Sequence, residues 1–112
     1  MIVKRQASDN YIWTQHSRYK MRQYRLTESR VKRVIRYPQR MEEGIIPGAI
    51  AVMSPSDGKH YSEIWVMYVL VKSKAKGQKS KVKVVTAWRY PGKAPERDPV
   101  PQSILREIKA LL

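Results

Sequence analysis

The sequence has no cysteine, few acidic residues and no long apolar run. Without cysteine the chain can form no disulfide, no zinc–thiolate site and no thiol nucleophile, which is consistent with a reducing environment. No apolar run approaches the length of a membrane span, and the N-terminal MIVKRQASDN is too poor in apolar residues for a signal peptide. We therefore expect a soluble cytoplasmic protein with no membrane partner.

The few carboxylates show no spacing typical of metal ligands. Metal-dependent nucleases hold their ions with several carboxylate oxygens that converge on one point. No such grouping is visible among Asp9, Glu42, Glu43, Asp57 and Glu63. The sequence therefore predicts neither a metal site nor a cofactor.

Basic residues greatly outnumber the acidic ones. The 112 residues contain 23 Lys and Arg against 9 Asp and Glu, which gives a formal net charge of +14. Such a charge opposes compaction and favours a polyanionic partner, with nucleic acid as the leading candidate. Anionic lipid, an acidic protein or simple solubility are the alternatives. The apolar content of 42% suffices for one core, so we expect a single domain over residues 1–112.

The densest cationic stretch, residues 13–38, contains two predicted helices. Thr14 is a suitable N-cap for a first helix that ends at about Tyr24. A spacing of four residues places His16, Lys20 and Tyr24 along one stripe of that helix. We expect this polar stripe to bind an anion.

The second predicted helix lies between Thr27 and Pro38. Thr27 is its N-cap, Leu26 in front of the cap can pack on Val31, and Pro38 forbids continuation. The helical period separates an apolar face from an outward basic face. We predict that the following cations of this stretch bind nucleic acid: Arg18, Arg22, Arg25, Arg30, Lys32, Arg33 and Arg36.

Strand character is found in residues 39–42, 49–53, 61–71 and 82–90. Residues 61–71 are apolar on both alternating faces and residues 82–90 alternate with period two, so these two strands are expected to pair as a hairpin. Their connection, KSKAKGQKSK, contains five lysines and is predicted to be a mobile basic loop. The loop would add three cations to the nucleic-acid surface: Lys74, Lys76 and Lys79.

The two ends of the chain differ in character. Residues 1–10 are predicted to be an arm, and the prolines of residues 91–101 indicate a stiff connector. The apolar spacing in residues 102–112 predicts an amphipathic C-terminal helix that buries its stripe on this domain or on a second chain, as in a homodimer. The expected fold is α+β: two N-terminal helices packed on a three- to four-stranded antiparallel sheet, with a C-terminal helix.

One set of residues resembles a known family pattern. Its members are Thr14, His16, Lys20, Met21, Leu26, Thr27, Glu28, Val31, Val34, Pro38, Val84, Val85 and Thr86. Over about residues 11 to 90 the chain resembles the small BrnT-like proteins and their uncharacterised single-domain relatives, in the ribonuclease-toxin superfamily grouped around barnase, EndoU, colicin and RelE. The usual family start is T-x-H-A-x-x-R-M-x-x-R-G-I-T, and here Lys20 and Tyr24 stand where arginines are usual.

The resemblance implies a metal-independent endoribonuclease of toxin type, acting on RNA rather than DNA and restrained by an acidic antitoxin protein. Cleavage without a metal needs a base for the 2′-hydroxyl, an acid for the leaving oxygen and a cation over the phosphorane. His16 could supply the acid or the base, and Lys20 the charge. Tyr24 or Thr86 could hydrogen-bond the phosphate. A second acid or base is not identifiable, since the other imidazole, His60, shares no motif.

Two further functions stay open. A non-catalytic nucleic-acid-binding module would need only the basic surface, and a protein-interaction domain would dock through the C-terminal helix. His16 could equally cap or pack the start of its helix, and Thr86 could be an ordinary strand residue. Strand aromatics such as Trp65 and Trp88 could stack on bases, although core positions are more usual for them.

Overall fold

The computed structural model describes residues 10–43, 45–56, 58–72 and 80–111. Within these ranges lie five strands and three helices: β1 Tyr11–Trp13, α1 Gln15–Tyr24, α2 Glu28–Arg36, β2 Arg40–Glu43, β3 Ala49–Pro55, β4 Ser62–Val71, β5 Lys81–Pro91 and α3 Gln102–Leu111. Most of the predicted N-terminal arm, and the predicted binding residues Lys74, Lys76 and Lys79, fall outside the described ranges.

The strands form one sheet in the order β1-β5-β4-β3-β2. Neighbouring strands are antiparallel, except that β1 pairs parallel with β5 from Tyr11 opposite Val82 to Trp13 opposite Val84. The predicted α+β class with a C-terminal helix is confirmed. The sheet is mixed rather than purely antiparallel, and it has five strands rather than three or four. Strand β1 was not predicted because three residues are too few to show a period of two. Strand β1 is also far in sequence from β5, so no tight turn fixes the relative direction of the two strands.

Helix α1 begins and ends with well-defined caps. The side chain of Thr14 accepts a hydrogen bond from the Ser17 amide at 3.0 Å, which satisfies a donor that the first turn leaves without a partner. At the other end Arg25 is left-handed, with φ 58°. The Leu26 amide then donates to the Met21 carbonyl at 2.8 Å, the long closing bond of a Schellman motif. Both predicted ends of this helix are confirmed.

Helix α2 follows after only three residues. The Thr27 side chain caps it by accepting from the Arg30 amide at 3.1 Å. Leu26 and Val31 are buried in one cluster, as the predicted packing across the cap requires. The helix ends at Arg36, two residues before Pro38.

The two faces of the sheet carry separate apolar clusters. On one face α2 and the buried side of α1 pack on β3, β4 and β5. On the other face Ile104 and Ile108 of α3 pack near Trp65 and Trp88, whose rings stack with centroids 5.8 Å apart. Full burial of such an aliphatic side chain contributes about 1.5–3 kcal/mol. The sequence left open whether the apolar stripe of the C-terminal helix packs on this domain or on a second chain. In the structure it packs on this domain.

Side chains from β2 and β4 hold the connector that carries α3 onto the sheet. Glu63 is almost fully buried and accepts hydrogen bonds from the Trp65 indole at 3.1 Å and the Ala94 amide at 3.0 Å. Arg40 donates to the carbonyls of Pro95 and Glu96, each at 2.9 Å. As predicted from its prolines, the connector contributes no strand beyond Pro91. No helix in the described part of the chain is long and apolar enough to cross a membrane.

Candidate nucleic-acid interface

The predicted stripe of α1 faces helix α3 rather than solvent. Lys20 is only 4% exposed, and its Nζ lies 3.3 Å from Oε1 and 3.5 Å from Oε2 of Glu107. The same Nζ lies 5.2 Å from the centre of the Tyr24 ring, within range of a cation–π contact. His16 Nε2 lies 3.5 Å from Glu107 Oε1. The stripe therefore does face an anion, and that anion is a carboxylate of the same chain.

Thr86 is fully buried on the sheet face that α3 covers. It pairs with Met67 of β4, and its hydroxyl has no hydrogen-bond partner among the described residues. A bound phosphate could reach neither this hydroxyl nor the Lys20 ammonium while α3 is in place. The structure thus brings His16, Lys20 and Tyr24 together beneath α3 and leaves Thr86 in the core.

His16 keeps partial access to the surface. Its side chain is 20% exposed and borders a cavity of about 250 Å³. The other residues that line this cavity are Thr14, Gln15, Val69, Lys83, Val85 and Leu111. The second imidazole, His60, is exposed in the turn before β4. Of the predicted catalytic groups, His16 is the one with both a charged neighbour and an adjoining cavity.

Sequence reasoning missed Glu107. The signal was present, because Glu107 falls on the same helical stripe as Ile104, Ile108 and Leu111, with spacings of three, one and four residues. A lone carboxylate beside an apolar stripe favours a cationic partner where the stripe packs. The identity of that partner depends on a contact 87 residues away in sequence, which local patterns do not encode.

One group of exposed and half-buried cations lies on α1, on α2 and in the connection between them. Val31 and Val34 are fully buried, whereas Arg33 and Arg36 on the opposite side of α2 are exposed, as the helical period predicts. Glu28 is the one acidic residue within α1 and α2, and it pairs with Arg18 at 2.9 Å. We call the following set the basic face: Arg18, Arg22, Arg25, Arg30, Lys32, Arg33 and Arg36.

Two aromatic rings border the basic face. Tyr11 and Trp13 share one side of β1, because alternate strand residues do, and their rings stack at 5.8 Å with an angle of 17°. Lys32 lies 5.1 Å from the Tyr11 ring centre and Arg18 lies 5.7 Å from that of Trp13. Trp65 and Trp88, by contrast, are buried core residues. Arg40 lies 5.4 Å from the Trp65 ring centre, but that ring is buried, so the cation–aromatic pairs that border the basic face are the two at β1.

Acidic side chains are concentrated elsewhere. Four carboxylates, those of Glu42, Glu43, Glu96 and Asp98, line one cavity of about 400 Å³ between β2 and the connector. Within the described ranges, no group of three or more acidic or imidazole side chains has an arrangement that could hold a metal ion. Since Glu28 is the one acid within α1 and α2, the basic face keeps a large excess of positive charge.

Comparison of the chain with protein-family models, with curated proteins and with solved structures found no match.

Proposed function

We propose that this protein binds nucleic acid through the basic face of α1 and α2. The observation that carries the proposal is the placement of Arg33 and Arg36: both are exposed on a helix whose opposite side is anchored by the fully buried Val31 and Val34. The cations are thereby presented on a rigid support. Phosphate contacts of this kind release counterions and supply most of the affinity in sequence-independent binding.

Single-stranded RNA is the preferred ligand in this proposal. The resemblance to the ribonuclease-toxin superfamily favours RNA over DNA. The paired rings of Tyr11 and Trp13 beside Arg18 and Lys32 suit unstacked bases next to phosphates, which single strands offer and duplexes do not. The acidic antitoxin protein that the resemblance implies would compete with RNA for the same face.

The experiment is a salt-dependent binding titration with fluorescently labelled single-stranded RNA. We expect the logarithm of the affinity to fall linearly as the logarithm of the salt concentration rises. The double variant Arg33→Glu/Arg36→Glu should bind weakly and respond less to salt, while its circular dichroism spectrum stays that of the wild type. An affinity that is flat in salt would contradict the proposal.

A matched control separates the basic face from net charge alone. Arg97 and Arg106 are exposed on the connector and on α3, and neither belongs to the basic face. The double variant Arg97→Glu/Arg106→Glu changes the net charge by the same amount and should lose much less affinity. Equal losses in the two double variants would mean that the basic face has no special role.

Metal-independent cleavage of RNA is a second candidate, favoured by one contact. The carboxylate of Glu107, 3.5 Å from the His16 imidazole, could serve as the second acid or base that sequence reasoning did not find. One group could take the proton of the 2′-hydroxyl and the other could protonate the leaving 5′-oxygen. For this pair to meet a phosphate, α3 has to move away from α1, because Glu107 now occupies the position next to Lys20.

A further inference from the structure

A second cationic feature lies at the connection between α1 and α2, beside α2, β4, β5 and the residue that follows β3. It is a cavity of about 380 Å³, which we call the arginine cavity. Three of its lining residues are arginines and none of the described ones is acidic: Arg25, Leu26, Thr27, Arg30, Ser56, Ile64 and Arg89. Guanidinium groups that share one cavity repel one another, so such a grouping favours an anionic ligand.

Neutral acceptors hold two of these guanidinium groups in place. Arg89 donates from Nη1 to the Ser56 hydroxyl at 2.8 Å and from Nη2 to the Tyr24 carbonyl at 3.1 Å. Arg30 donates to the Pro55 carbonyl at 3.3 Å. The two bonds of Arg89 orient its side chain toward neutral acceptors, so they leave its positive charge in place. Because a guanidinium carries five N–H donors, two bonds leave Arg89 further donors for a ligand.

The third arginine stands at an unusual backbone position. Arg25 has φ 58°, a left-handed conformation that favours glycine, and its side chain is exposed at the cavity. If backbone conformation alone determined the residue at this position, glycine would be the better choice. The charge at Arg25 can therefore be removed by a substitution that does not strain the backbone, which makes this residue a clean probe of the cavity.

We propose that the arginine cavity binds one phosphate group of the nucleic acid that lies on the basic face. This inference rests on the proposed function, since Arg25 and Arg30 belong to both features and so make them continuous. The planar fork of a guanidinium matches two oxygens of a phosphate, and the hydroxyls of Thr27 and Ser56 also line the cavity. The phosphate could be internal to the strand or at its 5′ end.

The first experiment measures RNA binding by Arg25→Gln and Arg25→Gly. Both variants should bind single-stranded RNA about 3- to 10-fold more weakly than the wild type, and the slope of log affinity against log salt should fall by about one, as for the loss of one phosphate contact. The control is Arg106→Gln, which removes the same charge from the exposed side of α3. If Arg106→Gln lowers the affinity as much as Arg25→Gln does, the arginine cavity is not a phosphate site.

The second experiment uses inorganic pyrophosphate as a probe that carries no base or sugar. In the wild type, pyrophosphate should shift the Arg89 side-chain and Thr27 amide signals in nuclear magnetic resonance spectra, and Arg25→Gln should weaken this binding. Pyrophosphate binding without any RNA binding would overturn the proposed function and leave the oxyanion site intact. RNA binding that Arg25→Gln leaves unchanged, without pyrophosphate shifts at the cavity, would overturn the site and leave the proposed function intact.

A comparison of 5′-phosphorylated and 5′-hydroxyl RNA of one sequence identifies the phosphate. If the cavity holds the terminal group, the phosphorylated strand binds more tightly to the wild type, and this difference disappears in Arg25→Gln. If the cavity holds an internal phosphate, both strands bind equally and both lose affinity in Arg25→Gln. Either pattern supports the proposal, whereas no loss with either strand would refute it.

Discussion

His16 and Glu107 face each other across the contact between α1 and α3, with Nε2 and Oε1 3.5 Å apart. Within the described residues neither atom has a hydrogen-bond partner. Lys20 Nζ lies 3.3 Å from the same Oε1. Glu107 thus stands between an imidazole and a buried ammonium, where a substrate phosphate would have to stand in a ribonuclease. A substitution of Glu107 therefore bears both on the stability of the fold and on catalysis.

The first prediction concerns Glu107→Gln. The substitution removes the negative charge beside Lys20, whose ammonium is almost fully buried and then lacks its counterion. Since the Glu107 side chain is 38% exposed, part of the effect is screened by solvent, and we expect a loss of about 1–3 kcal/mol in the free energy of unfolding. Urea denaturation followed by circular dichroism measures this loss. The neighbouring exposed Arg106→Gln should change stability by less than about 0.5 kcal/mol.

The second prediction concerns Arg25→Gly. A residue with a side chain in the left-handed region costs about 1–2 kcal/mol, and glycine recovers part of this while it loses some entropy in the unfolded chain. We expect a net stabilisation of about 0.5–1 kcal/mol, measured as a higher urea midpoint. Gln23→Gly, two residues earlier and inside α1, should instead destabilise by about 1 kcal/mol. Equal destabilisation by both would mean that the Arg25 side chain contributes to folding.

Local elements of this fold were predictable because their causes are local. Thr14 and Thr27 mark helix starts through hydrogen bonds that span three residues, and the period of Val31 and Val34 separates core from surface within one helix. The strand pair β4 and β5 follows from apolar runs on each side of a basic connection. In these elements the patterns that determine the structure lie within short segments of the sequence.

The features that escaped prediction are contacts between distant parts of the chain. The parallel pairing of Tyr11 with Val82, and the contact of Lys20 with Glu107 87 residues away, have no local period. For the same reason the sequence indicated that His16, Lys20 and Tyr24 share a stripe, but not that α3 covers it. The arginine cavity likewise depends on Arg89, which is far in sequence from Arg25 and Arg30.

The third prediction concerns alkaline pH. A hydrogen bond from the Tyr61 hydroxyl to Glu63 at 2.8 Å, followed by burial, raises the pKa of Tyr61 above 10.0, and burial together with the charges of Tyr11 and Glu43 raises the pKa of Tyr68. The folded protein therefore holds these protons more tightly than the unfolded chain. The stabilisation by protonated Tyr61 and Tyr68 is therefore complete below the pKa of these groups in the unfolded chain. It is lost as pH rises through their pKa values in the folded protein.

Absorbance of tyrosinate during a pH titration tests this prediction. In the folded protein, part of the tyrosinate absorbance should appear only at a higher pH than in the urea-unfolded protein. We call this part the late step, and Tyr61→Phe should remove one component of it. Tyr37→Phe, at an exposed position, should leave the late step in place. Identical titration curves for folded and unfolded protein would contradict the assignment.

The last prediction decides between the two candidate functions. If the protein is a metal-independent ribonuclease, it should cleave single-stranded RNA in the presence of EDTA, and His16→Ala should lower the rate by ~10² to 10⁴ while RNA affinity changes little. Affinity is spread over many basic residues, whereas proton transfer depends on one positioned group. Glu107→Gln adds a further distinction: it should lower the rate similarly if Glu107 is the second acid or base, and raise it if Glu107 only neutralises Lys20. Wild-type protein that binds RNA and leaves it intact over a range of pH would eliminate the nuclease and leave the binding module, because the basic face does not depend on His16.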